Sequence, residues 1–236
     1  MKATIVLDEE TEKEIYKSGI YTAEEIKTDS SGPEKIIKKV ENQTSRILKA
    51  GKFPVILGGE HSITLGPIRA LNKKYKDFSV LQLDAHMDLR DSFQGSKYSH
   101  ACIAKRIIEI TGLTQVGIRS MSREEAGKNY KNLTTFFMKD MIEDRRWISK
   151  AIDSLDSDRV YVTIDMDSLD PSIMPSVGTP EPGGLGWYDT LELLKKLSLK
   201  KEVIGFDVVE LSPMPGNISS DFLAAKLVYK FLSYIF

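Results

Sequence analysis

Short apolar, β-branched runs alternate along the chain with longer stretches in which apolar positions recur at helical spacing. The runs at 53–57, 78–84, 113–118, 133–137, 160–164 and 202–207 read as strands, most of them bounded by Gly, Asp or Lys. Segments near 34–50, 62–76, 101–111, 122–130, 144–155 and 188–199, and a last one at 219–235, carry the helical period. This alternation implies an α/β fold of three layers, α/β/α, with a mostly parallel, doubly wound sheet covered by helices on both faces. Pro33 suits a first helical position and Gly51 a C-terminal cap, while Thr22 and Glu25 have capping-box spacing that equally fits a short turn. The longest irregular stretches, 86–100 and 166–186, each follow a strand. Ligands in open α/β sheets bind beyond the carboxyl ends of the strands, so a site is expected in these two loops.

Composition narrows the field. With no repeat or long linker, the 236 residues, 41% of them hydrophobic, read as one domain over 1–236 with a substantial core. Lys and Arg number 33 against 34 Asp and Glu, so no excess charge points to nucleic acid or an anionic membrane as partner. No stretch of about 18 apolar residues marks a membrane span, and the start of the chain turns acidic too soon for a signal peptide. The single cysteine, Cys102, excludes an internal disulfide and fits a reducing, cytoplasmic location.

The chemistry gathers at strand ends. The three histidines are His61, His86 and His100. A lone histidine is ordinarily a surface or hydrogen-bonded residue, but Asp84, His86 and Asp88 alternate directly after a strand, and period two would aim all three to one side. Asp165 and Asp167 repeat the arrangement after another strand, where a lone pair of aspartates would read as a solvated loop start or a helix N-cap. Four aspartates and two histidines converging on one sheet edge would repel without a cation. They exceed what one tetrahedral zinc needs and suit two divalent ions roughly 3.5–4 Å apart. Carboxylate and imidazole without thiolate favour Mn, with Zn, Ni or Co remaining as alternatives.

GGEHSIT at 58–64, DAHMD at 84–88, SHA at 99–101, DMDSLDPSIMPSVGTPEPGG at 165–184 and DVVELSP at 207–213 together resemble the motif set of the ureohydrolases, the arginase and agmatinase family. The resemblance covers roughly residues 50–236 and implies the arginase-like fold. It implies one Mn2+ held by His61, Asp84, Asp88 and Asp165, and a second by His86, Asp84, Asp165 and Asp167. It also implies proton transfer by His100 and guanidinium binding by Glu210, with Thr179 orienting ligands. The reaction it implies is metal-assisted attack of water on a guanidino carbon, releasing urea and an amine. Within the family, the Ser99-His100-Ala101 context is most like agmatinase, so agmatine, yielding putrescine, is the leading substrate. Arginine, guanidinobutyrate and formiminoglutamate are the alternatives. A homo-oligomer, trimer or hexamer, is the family's usual assembly.

Some readings stand apart from the resemblance. Gly58 and Gly59 are read as a sharp backbone turn rather than a phosphate cradle, since no Lys-Ser or Lys-Thr follows. Cys102 and Trp187 are read as packing residues. Glu60 stands where the family commonly has Asp, and residues 1–50 lack the family's additional first strand and Arg-Pro-Gly loop, which would expose a sheet edge. That departure keeps a non-catalytic, metal-binding homologue among the alternatives. A dinuclear phosphatase or peptidase is disfavoured, because Glu210 supplies a carboxylate where a phosphate would want Arg or Lys.

Overall fold

The computed structural model describes residues 7–28, 30 and 32–236. Six strands form one sheet: β1 (Val55–Leu57), β2 (Ser79–Leu83), β3 (Gly112–Ile118), β4 (Leu133–Phe137), β5 (Arg159–Asp165) and β6 (Glu202–Val209). Their spatial order is β1-β6-β5-β2-β3-β4, and every pairing is parallel. From β2 the chain winds outward to β3 and β4, then returns to place β5 on the other side of β2 and winds outward again to β6. The reversal opens a crevice between the carboxyl ends of β2 and β5, the place where open α/β sheets bind ligands.

Strand periodicity divides the apolar residues between two cores. Leu81, Leu83, Val162, Ile164, Phe206 and Val208 face α6 (Trp147–Asp153), α7 (Trp187–Lys200) and α8 (Ser219–Ile235). Val80, Leu113, Ile118, Tyr161 and Ile204 face α1 (Pro33–Lys49), α2 (Leu65–Lys74) and α3 (Ile103–Ile108). Both faces are thus covered, as a buried parallel sheet requires. Trp187 packs at the margin of the first core. β1 is an edge strand of the sheet and leaves Leu57 66% exposed; residues 1–6 lie outside the described residues.

α1 begins on Pro33 and ends in a Schellman motif. The Gly51 N–H donates to the Leu48 carbonyl at 3.2 Å and the Lys52 N–H to that of Ile47 at 3.1 Å, with Gly51 at φ 68. Three helical expectations change. The segment at 122–130 yields a short α4 (Arg123–Ala126), capped by Ser122 and Glu125 in a reciprocal capping box, before Gly127 ends it. The segment at 144–155 yields only the seven-residue α6, about two turns, preceded by α5 (Met138–Glu143), which follows β4 directly. Residues 20–28 form no regular element, so Thr22 and Glu25 cap nothing. Their spacing is not followed by apolar residues at helical intervals, which a stable helix needs for docking.

Candidate metal centre

Each candidate ligand sits at or just beyond the end of a strand. After β1, Gly58 and Gly59 adopt left-handed backbone (φ 82 and 86). The Gly58 N–H donates to the Val208 carbonyl at 2.8 Å, and the Glu210 N–H to that of Gly59 at 3.0 Å. This reversal leads into a 3-10 turn, His61–Thr64, whose N-cap residue Glu60 accepts the Ser62 N–H. His61 is thereby fully buried. The two glycines act as a turn, as their sequence context suggests.

After β2, the backbone stays extended through His86, which bridges to Ser120 beyond β3. The run then breaks: Asp88 has φ 52, a left-handed conformation that few non-glycine residues adopt. Strict alternation therefore does not aim Asp88. The turn does, bringing its Oδ2 to 3.6 Å from His61 Nδ1. Asp165, the last residue of β5, accepts the Asp167 N–H at 2.9 Å and caps a second 3-10 turn, Met166–Ser168. Asp167 in turn accepts the Ala85 N–H at 3.1 Å, stitching the β5 loop to the β2 loop across the crevice.

The outcome is two groups of ligand atoms, His61–Asp84–Asp165 and Asp84–His86–Asp167, each with all its atoms within 4.8 Å of one another. Asp84 belongs to both, while Asp165 stands in the first alone and Asp88 reaches the first from its edge. His61 Nδ1 lies 3.1 Å from an oxygen of Asp84 and 3.1 Å from one of Asp165. His86 Nδ1 lies 3.0 Å from Asp167.

Electrostatics describes a cluster short of positive charge. Burial, with the neighbouring carboxylates, pushes Asp88 and Asp165 well above the usual carboxylate range. For Asp84 burial acts the same way but is outweighed by the two imidazoles, which hold it low. For the histidines burial is likewise overcome. Asp165 and Asp84 raise His61 well above its ordinary value, and Asp167 and Asp84 push His86 up to about 11. His61 Nδ1, completely buried, has no hydrogen-bond partner although it faces those carboxylates. An orphaned imidazole nitrogen among buried carboxylates, with no thiolate near, fits a divalent cation that accepts N and O ligands.

The remaining candidates surround this cluster. Glu210, at φ 63 directly after β6, accepts the His61 N–H at 2.6 Å, and burial raises its carboxyl. Thr179 donates to Asp167 Oδ2 at 3.4 Å. His100 opens a 3-10 turn, His100–Cys102, and is half exposed; its Nδ1 lies 3.5 Å from Glu60 Oε2 and its ring meets Phe93 edge-on. Cys102 is buried and its thiol is pushed up by that burial, as suits a packing residue.

Three supports escaped the sequence reading. The Arg119 guanidinium donates to the carbonyls of Gly117, Asp167, Ser168, Leu169 and Glu181, pinning the 166–186 loop over the crevice. Buried Glu125 accepts the Leu89 N–H at 2.9 Å, anchoring the chain after Asp88. Thr163 and Asp207 stand behind His61: its Nε2 lies 2.9 Å from Thr163 Oγ1, which donates to Asp207 Oδ1 at 2.6 Å. The available signal was the same for both: a polar residue inside an otherwise apolar central strand.

Comparison with known proteins bears on the family and the fold. Residues 2–233 match the arginase family. The N(1)-aminopropylagmatine ureohydrolase of Synechocystis sp. is 42% identical over 224 residues, covering 92% of this chain and 73% of the relative. The agmatinase of Pyrococcus horikoshii is 38% identical over 203 residues, covering 82% and 65%. The crystal structure of agmatine ureohydrolase of Thermoplasma volcanium superposes with a TM-score of 0.88 at 38% identity, covering 98% of this chain and 78% of that one. With the family match, the sequence similarity and the fold in agreement, this chain belongs to the arginase family, as an agmatinase-like ureohydrolase.

Proposed function

We propose that the chain hydrolyses the guanidino group of agmatine, giving putrescine and urea, at a centre of two Mn2+ ions. The observation that carries the reading is the pair of candidate ligand groups that share the Asp84 carboxylate. In the assignment proposed here, His61, Asp84, Asp88 and Asp165 hold one ion, and His86, Asp84, Asp165 and Asp167 the other. Bound divalent ions supply Lewis acidity, lowering the pKa of water towards neutrality.

The side chains divide the remaining work. Glu210, fixed through the His61 N–H, offers its carboxylate to the planar guanidinium fork and so orients the substrate carbon towards the cluster. Thr179 steadies Asp167. Water adds its oxygen to the guanidino carbon, the bond from carbon to the alkyl nitrogen breaks, and that nitrogen leaves as an ammonium. A guanidinium and one water thus become urea and an alkylammonium with charge conserved. His100, half exposed and beside the Glu60 carboxylate, delivers the proton to the departing amine.

A second reading has N(1)-aminopropylagmatine as substrate. The relative so named in Synechocystis favours it, as does the placement of Glu60 and Glu181. Glu60 lies beside His100 and Glu181 lies 4.0 Å from His86 Nε2; both are partly exposed carboxylates suited to a polycation.

The test is urea release from agmatine, N(1)-aminopropylagmatine, arginine and guanidinobutyrate by metal-stripped protein reloaded with Mn2+. Manganese-dependent urea from agmatine, reduced about 100-fold or more in His100→Ala, is the expected result. Preference for the aminopropyl compound selects the second reading. Absence of urea from all four by protein that has bound Mn2+ overturns both.

A further inference from the structure

One row of the sheet is polar from strand to strand. Asp207 on β6 pairs in register with Thr163 on β5, Thr163 with Gln82 on β2, Gln82 with Gln115 on β3, and Gln115 with Thr135 on β4. Asp207, Thr163, Gln82 and Gln115 have no exposed surface, and all five point to the face covered by α1, α2 and α3. The interior of a parallel sheet is ordinarily a continuous apolar layer. A row of buried amides, hydroxyls and a carboxylate persists there only if its members are bonded.

The two glutamines form a directed chain. The Gln82 amide donates to Asp84 Oδ2 at 2.7 Å, and its Oε1 accepts from Gln115 Nε2 at 3.1 Å. The same Gln115 nitrogen donates to the Met87 carbonyl at 2.8 Å, and its Oε1 accepts the Thr135 hydroxyl at 3.1 Å. Neither amide can be turned over without loss. The Met87 carbonyl can only accept, as can an ionised Asp84, so each nitrogen must face the ligand loop and each oxygen must face away. Gln115 uses both amide hydrogens and Gln82 relays the donor direction into the carboxylate shared by the two ligand groups.

Both ends of that chain bear on ligands. Asp84 is the common ligand, and Met87 immediately precedes Asp88, whose left-handed φ of 52 must be imposed by its surroundings. The Met87 carbonyl held by Gln115 and the Asp88 carbonyl held by the Lys105 N–H, at 3.2 Å, fix the turn on either side of that strained residue.

We propose that Gln82 and Gln115 are positioning residues of the metal centre, a buried amide pair that presets the Asp84 carboxylate and the Asp88 turn to receive divalent cations. The proposal deepens the metal-site reading and rests on it. Partners that orient ligands from behind typically alter metal affinity by about 10–100-fold when removed. A glutamine pair that merely filled the core would influence folding without touching affinity.

The experiment is Mn2+ titration of chelator-treated protein, following free Mn2+ by electron paramagnetic resonance, for wild type, Gln115→Met and Gln82→Met. Methionine matches the length and approximate volume of glutamine and removes the donors. Far-UV circular dichroism and melting of the metal-free proteins report folding separately. The expected result is a Kd for Mn2+ raised about 10–100-fold in each folded variant. If Gln115→Met does not fold, Gln82→Met, which leaves Gln115 bonded to the Met87 carbonyl, carries the same readout. A folded variant that binds Mn2+ as tightly as wild type overturns the inference, whatever its melting temperature. Wild-type protein that binds no Mn2+ overturns the metal-site reading itself, a different and separately visible failure.

Discussion

His61 Nε2 and Thr163 Oγ1 lie 2.9 Å apart in the buried interior, and the Thr163 hydroxyl is itself committed as a donor to Asp207. Tyr161 donates to the other oxygen of Asp207 at 2.8 Å. A hydroxyl whose proton points at a carboxylate can only accept from the ring, so Nε2 carries hydrogen and Nδ1 is left to face the carboxylate cluster. The tautomer of neutral His61 is therefore set through Thr163, by the acceptor character of Asp207.

Thr163→Val keeps the shape at β5 and deletes this relay. It should lower the melting temperature by an amount corresponding to about 1–3 kcal/mol, because a buried imidazole N–H and a carboxylate oxygen each lose a partner. It should also weaken Mn2+ binding about tenfold. Thr163→Ser, which retains the hydroxyl, should behave close to wild type in both. Equal Mn2+ affinity in Thr163→Val and wild type would remove the relay from the metal centre.

Metal binding should tighten as pH rises. In the metal-free cluster the neighbouring carboxylates raise both His61 and His86, the latter to about 11, so the free site favours protonated imidazole. A cation must displace those protons to gain the ring nitrogens. Each proton released makes the Kd for Mn2+ fall by about tenfold per pH unit. Calorimetric titration in buffers of different ionisation enthalpy counts the protons released. A Kd that stays flat between about pH 6.5 and about pH 8.5 would contradict the account.

The N-terminal segment should detach in acid ahead of the sheet. Lys230 on α8 is 2% exposed, and its Nζ lies 3.1 Å from Asp8, 3.0 Å from Glu9 and 3.2 Å from Glu10. Hydrogen bonds from Lys195 and Tyr234 bring the Glu10 carboxyl from its usual 4.5 to about 2. For Asp8, burial is outweighed by the Thr11 N–H and Lys230, and for Glu9 the bond from Lys230 leads; both are lowered. A carboxylate lowered in the folded state stabilises it fully above the unfolded value and less as protons return. The Glu10 contribution is thus complete above about pH 4.5 and lost as pH falls towards about 2. Hydrogen exchange across that window should show residues 8–18 opening before β2 and β5. At neutral pH, Lys230→Met strands buried Asp8 and should destabilise the protein by on the order of 3 kcal/mol. Simultaneous opening of the segment and the central strands would contradict this order.

Much of this protein is local in its coding. Alternating apolar runs and helical spacing announce a parallel sheet with helices on both faces, because strand and helix periodicity are set by neighbours within a few residues. The candidate ligand strings after β1, after β2 and at the end of β5 are legible for the same reason: acid and imidazole clustered at a strand end have few structural uses. Lengths of short helices were less legible. Arg123–Ala126 ends early at Gly127, and Met138–Glu143 is too short to show a period. Tertiary structure alone placed β5 beside β2, and so brought Asp165 and Asp167 to Asp84 and His86. It also aligned Asp207, Thr163, Gln82, Gln115 and Thr135 into one row, turned Asp88 through a left-handed backbone, and laid Arg119 across the 166–186 loop. Strand order and register join residues far apart in the chain through hydrogen bonds that every backbone can make. Which partners meet is therefore decided by the packing of the whole sheet and its helices, and no single segment carries that information.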